Sequence, residues 1–119
     1  AELASGALAS LEVDMAPLLL FEGFQRARLL SCLRREVAIA EGFKVPITVC
    51  SGATSEQLLR NPNDFVALAS LFDMASERAL EALSEVPFGI VRRNREKLSP
   101  DFVAPGIRVV RRGDCCRSG

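Results

Sequence analysis

Gly42-Phe43-Lys44-Val45-Pro46-Ile47-Thr48-Val49-Cys50-Ser51-Gly52-Ala53-Thr54-Ser55 is the stretch whose reading decides the fold. Lys44 to Cys50 is a β-branched run of strand length. The small-residue loop Ser51 to Ser55 follows at its C-terminal end, where βα units carry their functional loops. Upstream, Gln25 to Glu41 predicts an amphipathic helix, with Leu29, Leu30, Leu33, Val37 and Ile39 or Ala40 at near-helical spacing and a polar face rich in arginine. Gly42 is expected to terminate it. Before that helix, Glu2 to Gly6 reads as a last helical turn stopped by glycine, Ala7 to Val13 as a short strand, and Pro17 as a break. Strand, helix, strand is the signature of a parallel pair joined by a crossover.

Downstream the pattern becomes helical. Asn61-Pro62-Asn63-Asp64 supplies a cap with proline at the first helical position, opening a helix to about Leu71 that turns Phe65, Leu68 and Leu71 inward. Ser76 starts another, to about Leu83 or Ser84. Pro87 starts a third, carrying Ile90, Val91 and later Leu98. Ser99-Pro100 is expected to end the regular region, apart from a possible strand at Ile107 to Val110. The fold class is therefore α/β, with parallel strands and outer helices. Two or three such strands cannot close a barrel or cover a sheet, because parallel strands need neighbours on both sides. Residues 1–110 read as one domain and 111–119 as a basic, flexible tail.

At 119 residues, 49% hydrophobic and 25% charged, the composition is that of a globular domain. No apolar run approaches the roughly 20 residues of a membrane span, and the start, Ala1-Glu2-Leu3-Ala4, reads as the middle of something longer. The formal charge is zero but unevenly spread: +5 from Arg92 onward and −5 before it. A basic end on an acidic body suits an anionic partner such as RNA, or a solvated tail. The four cysteines lack disulfide or zinc spacing: Cys32 and Cys50 stand singly in apolar segments and read as buried thiols, while Cys115 and Cys116 are adjacent. A reducing cytoplasm is the expected location, with no membrane contact.

The absence of histidine removes the commonest triads and acid–base pairs. Glu12 and Asp14 alternate onto one strand face, where they form a paired-carboxylate or magnesium site, or line a polar barrel interior. No phosphate-loop or dinucleotide motif occurs, leaving Ser51-Gly52-Ala53-Thr54 as a phosphate cradle on backbone N–H groups or a structural loop. Arg26, Arg28, Arg34 and Arg35 fall in two groups about two turns apart, suited to a phosphate backbone or simply solvated. With no tryptophan or tyrosine, recognition of RNA by backbone charge and shape is favoured over base stacking.

From about Leu8 to Val109 the chain resembles the archaeal ribonuclease P protein component 3 family, known in eukaryotes as the thirty-kilodalton subunit. The residues that carry the resemblance are Leu11-Glu12-Val13, Arg26-Ala27-Arg28-Leu29-Leu30 with Gly42-Phe43-Lys44-Val45-Pro46, and Val49-Cys50-Ser51-Gly52-Ala53. Leu59-Arg60-Asn61-Pro62-Asn63-Asp64 and the stretch from Ala79 to Pro87 complete it. Gly52 departs from the family, where a polar or acidic residue is expected, and the tail from Arg111 matches no part of it.

The resemblance implies the C-terminal half of a TIM-like β/α barrel, akin to the polymerase-and-histidinol-phosphatase superfamily. It implies a non-catalytic subunit of ribonuclease P, assisting an RNA that matures the 5′ end of precursor tRNA. The expected partners are that RNA, precursor tRNA indirectly, and another small protein subunit. RNA contacts are expected first at Arg60, then at Arg26, Arg28 and Arg35, and at Arg92 and Arg93, with Asp64 capping its helix. No catalytic residue, cofactor or metal ligand is assigned to the protein, although the holoenzyme RNA would need magnesium. Two rivals stand beside this reading. One is part of a metal-dependent phosphoesterase of the same superfamily, to which Glu12 and Asp14 would contribute. The other is a protein-interaction module without an RNA role.

Overall fold

The structure, a computed structural model, describes residues 9–110. The expected helical turn at Glu2–Gly6, the start of the first strand and the basic tail 111–119 lie outside the described residues. Two compact units divide after Pro87.

The first unit is built on a parallel pair, β1 (Leu11–Asp14) and β2 (Ile47–Cys50), in the register Leu11↔Ile47, Glu12↔Thr48, Val13↔Val49, Asp14↔Cys50. The Leu11 N–H donates to the Pro46 carbonyl at 2.8 Å, fixing the lower end of that register. Between the strands run α1 (Ala16–Leu20) and α2 (Gly23–Gly42). The strand ends at Asp14, and Pro17 lies in the first turn of α1, because its fixed φ suits a helical first turn and its missing N–H would have had no partner there. The sequence reading saw only the break.

Leu33, Val37 and Ala40 of α2 pack with Val13, Val45, Ile47 and Val49, and Ile39 stays exposed. Gly42 is the last helical residue, not the left-handed terminator. Lys44 takes that role at φ 55°. The Lys44 N–H donates to the Glu41 carbonyl at 3.0 Å and the Val45 N–H to the Ala40 carbonyl at 2.8 Å, closing a Schellman motif whose Ala40 and Val45 are both buried.

After β2 come a 3-10 turn at Glu56–Leu58, α3 (Pro62–Ala69), a second 3-10 turn at Ser70–Phe72, and α4 (Ser76–Leu83). The helix expected to run to Leu71 tightens at Ser70, which rotates Phe72 into full burial and leaves Leu71 exposed. Asp73, at φ 64°, repeats the Schellman geometry, with the Met74 N–H reaching the Ala69 carbonyl. Asn61 is the cap: its side chain accepts from the Asn63 N–H at 2.9 Å. Asp64 stands exposed in the first turn, where it faces the positive end of the helix without capping it.

The helix α5 (Glu85–Lys97) crosses the boundary between the units. In the second unit it leads to an antiparallel hairpin, β3 (Phe102–Ala104) and β4 (Ile107–Arg108), turning at Gly106 with φ 78°. The regular region therefore continues past Ser99-Pro100. The strand expected at Ile107 is the shorter half of this hairpin, not a member of the parallel sheet. An ion pair of 3.1 Å between Arg108 and Glu96 ties the hairpin to α5.

Candidate functional site

Because strand side chains alternate, the β1–β2 sheet has two unlike faces. Val13, Ile47 and Val49 turn to the core, and Glu12, Asp14, Thr48 and Cys50 share the other face. One carboxylate oxygen each of Glu12 and Asp14 and the Cys50 Sγ lie within 4.8 Å of one another. Burial, a hydrogen bond to Glu12 and the negative field of Glu12 and Asp14 push the Cys50 thiol up to about 11, so it is protonated at neutral pH. Cys50 is half-buried at the end of its strand, as Cys32 is half-buried on α2, so neither is the fully buried thiol expected. Beside Glu12 in the register, Thr48 is only 9% exposed and its hydroxyl has no hydrogen-bond partner. Leaving such a group unsatisfied costs about 1–3 kcal/mol.

The loop after β2 closes over this face. Gly52 lies at φ +57°, and a Cβ there would stand 3.0 Å from both Cβ and Cγ of Asp14. A glycine at this position is therefore required by the close approach of backbone to carboxylate. The same approach weakens the phosphate-cradle reading, since a carboxylate already faces the loop, and the turn that follows has only three residues.

The arginines stand elsewhere. On α2, Arg28 and Arg35 are seven residues apart, two helical turns, and share a solvent-facing stripe. Arg26 and Arg34 lie off that stripe: the Arg26 Nε donates to the Phe21 carbonyl at 2.6 Å, and the Arg34 Nε to the Leu71 carbonyl at 3.0 Å and to Asp73 at 3.3 Å. The two groups read from the sequence are thus regrouped by the fold, one pair solvated and one pair clamping backbone.

Arg60 donates through Nη1 to the carbonyls of Gln57 at 2.6 Å and Leu59 at 2.9 Å. With five N–H donors on a guanidinium, its remaining nitrogens can still take a phosphate oxygen. It borders an open cleft with Leu19, Asp64, Leu68 and Leu71. In the second unit, the Arg92 guanidinium lies 6.0 Å from the Phe88 ring centroid, at the outer limit of a cation–π contact. Arg93 is half-buried.

Exposed apolar side chains are the feature that sequence reasoning passed over. Leu20, Phe21, Phe24, Leu59 and Leu71 all face solvent, Phe24 at 82% exposure. Their carbonyls are where the arginines dock: Phe21, Leu59 and Leu71 each accept a guanidinium bond. The helical signal gave the apolar positions but not which of them lacked a facing neighbour.

Comparison with known proteins places this geometry in a family. The description "RNase P subunit p30" matches residues 1–99. The ribonuclease P protein component 3 of Methanosarcina mazei is 37% identical over 98 residues, covering 82% of this chain and 40% of that protein. The same component of Methanosarcina barkeri is 38% identical over 105 residues, covering 88% and 43%. A chain in the cryo-EM structure of archaeal ribonuclease P with mature tRNA superposes with a TM-score of 0.80 at 23% identity, covering 94% of this chain and 48% of that one. The chain thus spans less than half the length of these relatives. No helix among the described residues is long and apolar enough to cross a membrane.

Proposed function

The chain belongs to the ribonuclease P subunit p30 family, and from that premise we propose that it works as part of a protein subunit of ribonuclease P. In this reading it assists a catalytic RNA in maturing the 5′ end of precursor tRNA, and performs no bond cleavage itself. The observation that carries the reading is the family match over nearly the whole described chain. In this reading its two parallel strands, joined by a helical crossover, belong to the C-terminal half of a β/α barrel, which the partial span of the Methanosarcina mazei relative supports.

Arg60 is the first RNA contact in this reading. Its bonds to two carbonyls hold the guanidinium at the rim of the cleft, which lowers the entropy lost when a phosphate docks. Arg28 and Arg35 offer a second, solvated stripe, while Arg26 contributes through the nitrogens not engaged with Phe21. Arg92 and Arg93, in the second unit, are further RNA contacts in this reading. The exposed Leu20, Phe21, Phe24, Leu59 and Leu71 support the binding of another protein subunit, because apolar side chains beside arginines are the usual composition of an interface core.

The test is the affinity of the full chain for ribonuclease P RNA across a salt series, with an unrelated structured RNA as control. Tight binding that falls steeply with salt is expected. Arg60→Ala should flatten the slope of log affinity against log salt by about 0.7–0.9, one phosphate's worth of counterion release. A folded chain that ignores the RNA would refute the subunit reading, and an unchanged slope would remove Arg60 from the interface.

A further inference from the structure

The polar face at the end of the parallel pair holds none of the arginines proposed to meet RNA, and its chemistry is different. Glu12, Asp14 and Cys50 converge from two hydrogen-bonded strands whose register fixes their spacing. Among the described residues neither carboxylate has a salt-bridge partner, so two negative charges stand together without a cation. The Thr48 hydroxyl, more than nine-tenths buried on the same face and beside Glu12 in the register, has no hydrogen-bond partner. The backbone at Gly52 passes so close to Asp14 that there is no room for a Cβ between them.

We infer that Glu12, Asp14 and Cys50 form a binding site for a divalent metal ion of the zinc class. Three ligand atoms within 4.8 Å of one another need only small side-chain rotations to reach the roughly 3.3–3.8 Å between ligands around tetrahedral zinc. A thiolate with two carboxylates selects zinc or cobalt over magnesium, because sulfur is a soft donor and magnesium takes oxygen. The fourth position is left to a water, and the unpartnered Thr48 hydroxyl lies on the same face, beside Glu12 in the register. On binding, the Cys50 Sγ–H bond breaks, the sulfur lone pair coordinates the ion and the proton passes to solvent. No electron transfer is involved. The site owes nothing to the RNA reading and stands or falls separately from it.

Cobalt(II) is the probe, since a thiolate ligand gives an intense near-ultraviolet charge-transfer band. The full chain carrying Cys32→Ser, Cys115→Ser and Cys116→Ser, so that Cys50 is its one thiol, is titrated free of other metals. The band is expected to saturate at one cobalt per chain, to collapse on adding zinc and to survive a large excess of magnesium. Glu12→Gln and Asp14→Asn, each folded by circular dichroism, should weaken binding about ten-fold or more. Absence of the band, its persistence after Cys50→Ser, or indifference to both carboxylate substitutions would overturn the site. In the unaltered chain, zinc should protect Cys50 and not Cys32 from alkylation, read by peptide mass. Equal labelling of Cys50 with and without zinc would overturn it independently of any variant.

Discussion

Replacing Gly52 by alanine should destabilise the chain far more than an exposed glycine in a loop would suggest. The backbone there sits at φ +57°, in the left-handed region, where an L side chain costs about 1–2 kcal/mol. The added Cβ would meet Asp14 Cβ and Cγ at 3.0 Å and Oδ1 at 3.2 Å. Rotating the Asp14 side chain can move Cγ and Oδ1 away but not Cβ, which is fixed to β1, so the loop or the strand must shift. Such overpacking adds about 1–3 kcal/mol. The two effects together come to about 2–5 kcal/mol. Urea denaturation of the full chain, followed by circular dichroism, measures it. Gly42→Ala is the control, since that residue ends α2 without a positive φ and a Cβ there meets nothing within 4 Å. It should be neutral or stabilising by up to about 1 kcal/mol. If Gly52→Ala shifted stability by no more than about 0.5 kcal/mol, the spread of ordinary surface changes, the close approach of loop and carboxylate would be wrong.

Other substitutions separate the remaining parts of the argument. Lys44→Gly should stabilise by about 0.5–1 kcal/mol, because relief of the left-handed strain exceeds the extra flexibility of glycine in the unfolded chain. A loss of stability in the same urea assay would mean that the Lys44 side chain is anchored. Glu12→Gln should lower the Cys50 pKa from about 11 toward the ordinary 9.0, since it removes one charge and weakens a hydrogen bond; the pH profile of Cys50 alkylation reports it. As folding raises this pKa, the folded form holds the proton more tightly. The contribution is complete below pH 9.0 and is lost as pH rises to about 11, so melting temperature should fall over that interval, and less in Glu12→Gln.

Much of the architecture was legible because its signals are local. The β-branched run from Val45 to Cys50 and the apolar spacing of Leu29, Leu33 and Val37 named a strand and a helix. Asn61-Pro62 named a helix start, and the two strands in sequence implied a parallel pair. The resemblance drawn from five short stretches led to the right family. Local signals also produced the errors. Pro17 reads as a break in a strand pattern and as an opening in a helical one, and only the residues after it, packed or not, choose between them. Leu71 and Phe72 are equally apolar neighbours, and a single tightened turn decides which enters the core. Gly42 is the obvious terminator by residue type, yet two backbone bonds carried the helix end on to Lys44.

By itself the sequence determined the α/β class and the order of the main elements, since periodicity and capping act over a few residues and survive in any context, while the family followed from the resemblance of particular stretches. Tertiary structure alone decided which side chains meet. Glu12 and Asp14 were a visible pair, but Cys50 is 36 residues beyond Asp14, and joins them because parallel pairing sets Asp14 against it. The arginines of α2 looked like two groups, but in the fold Arg26 and Arg34 donate to the Phe21 and Leu71 carbonyls while Arg28 and Arg35 stay solvated. Contacts between residues distant in sequence depend on register and on which faces are covered, and neither is encoded in any short stretch of the chain.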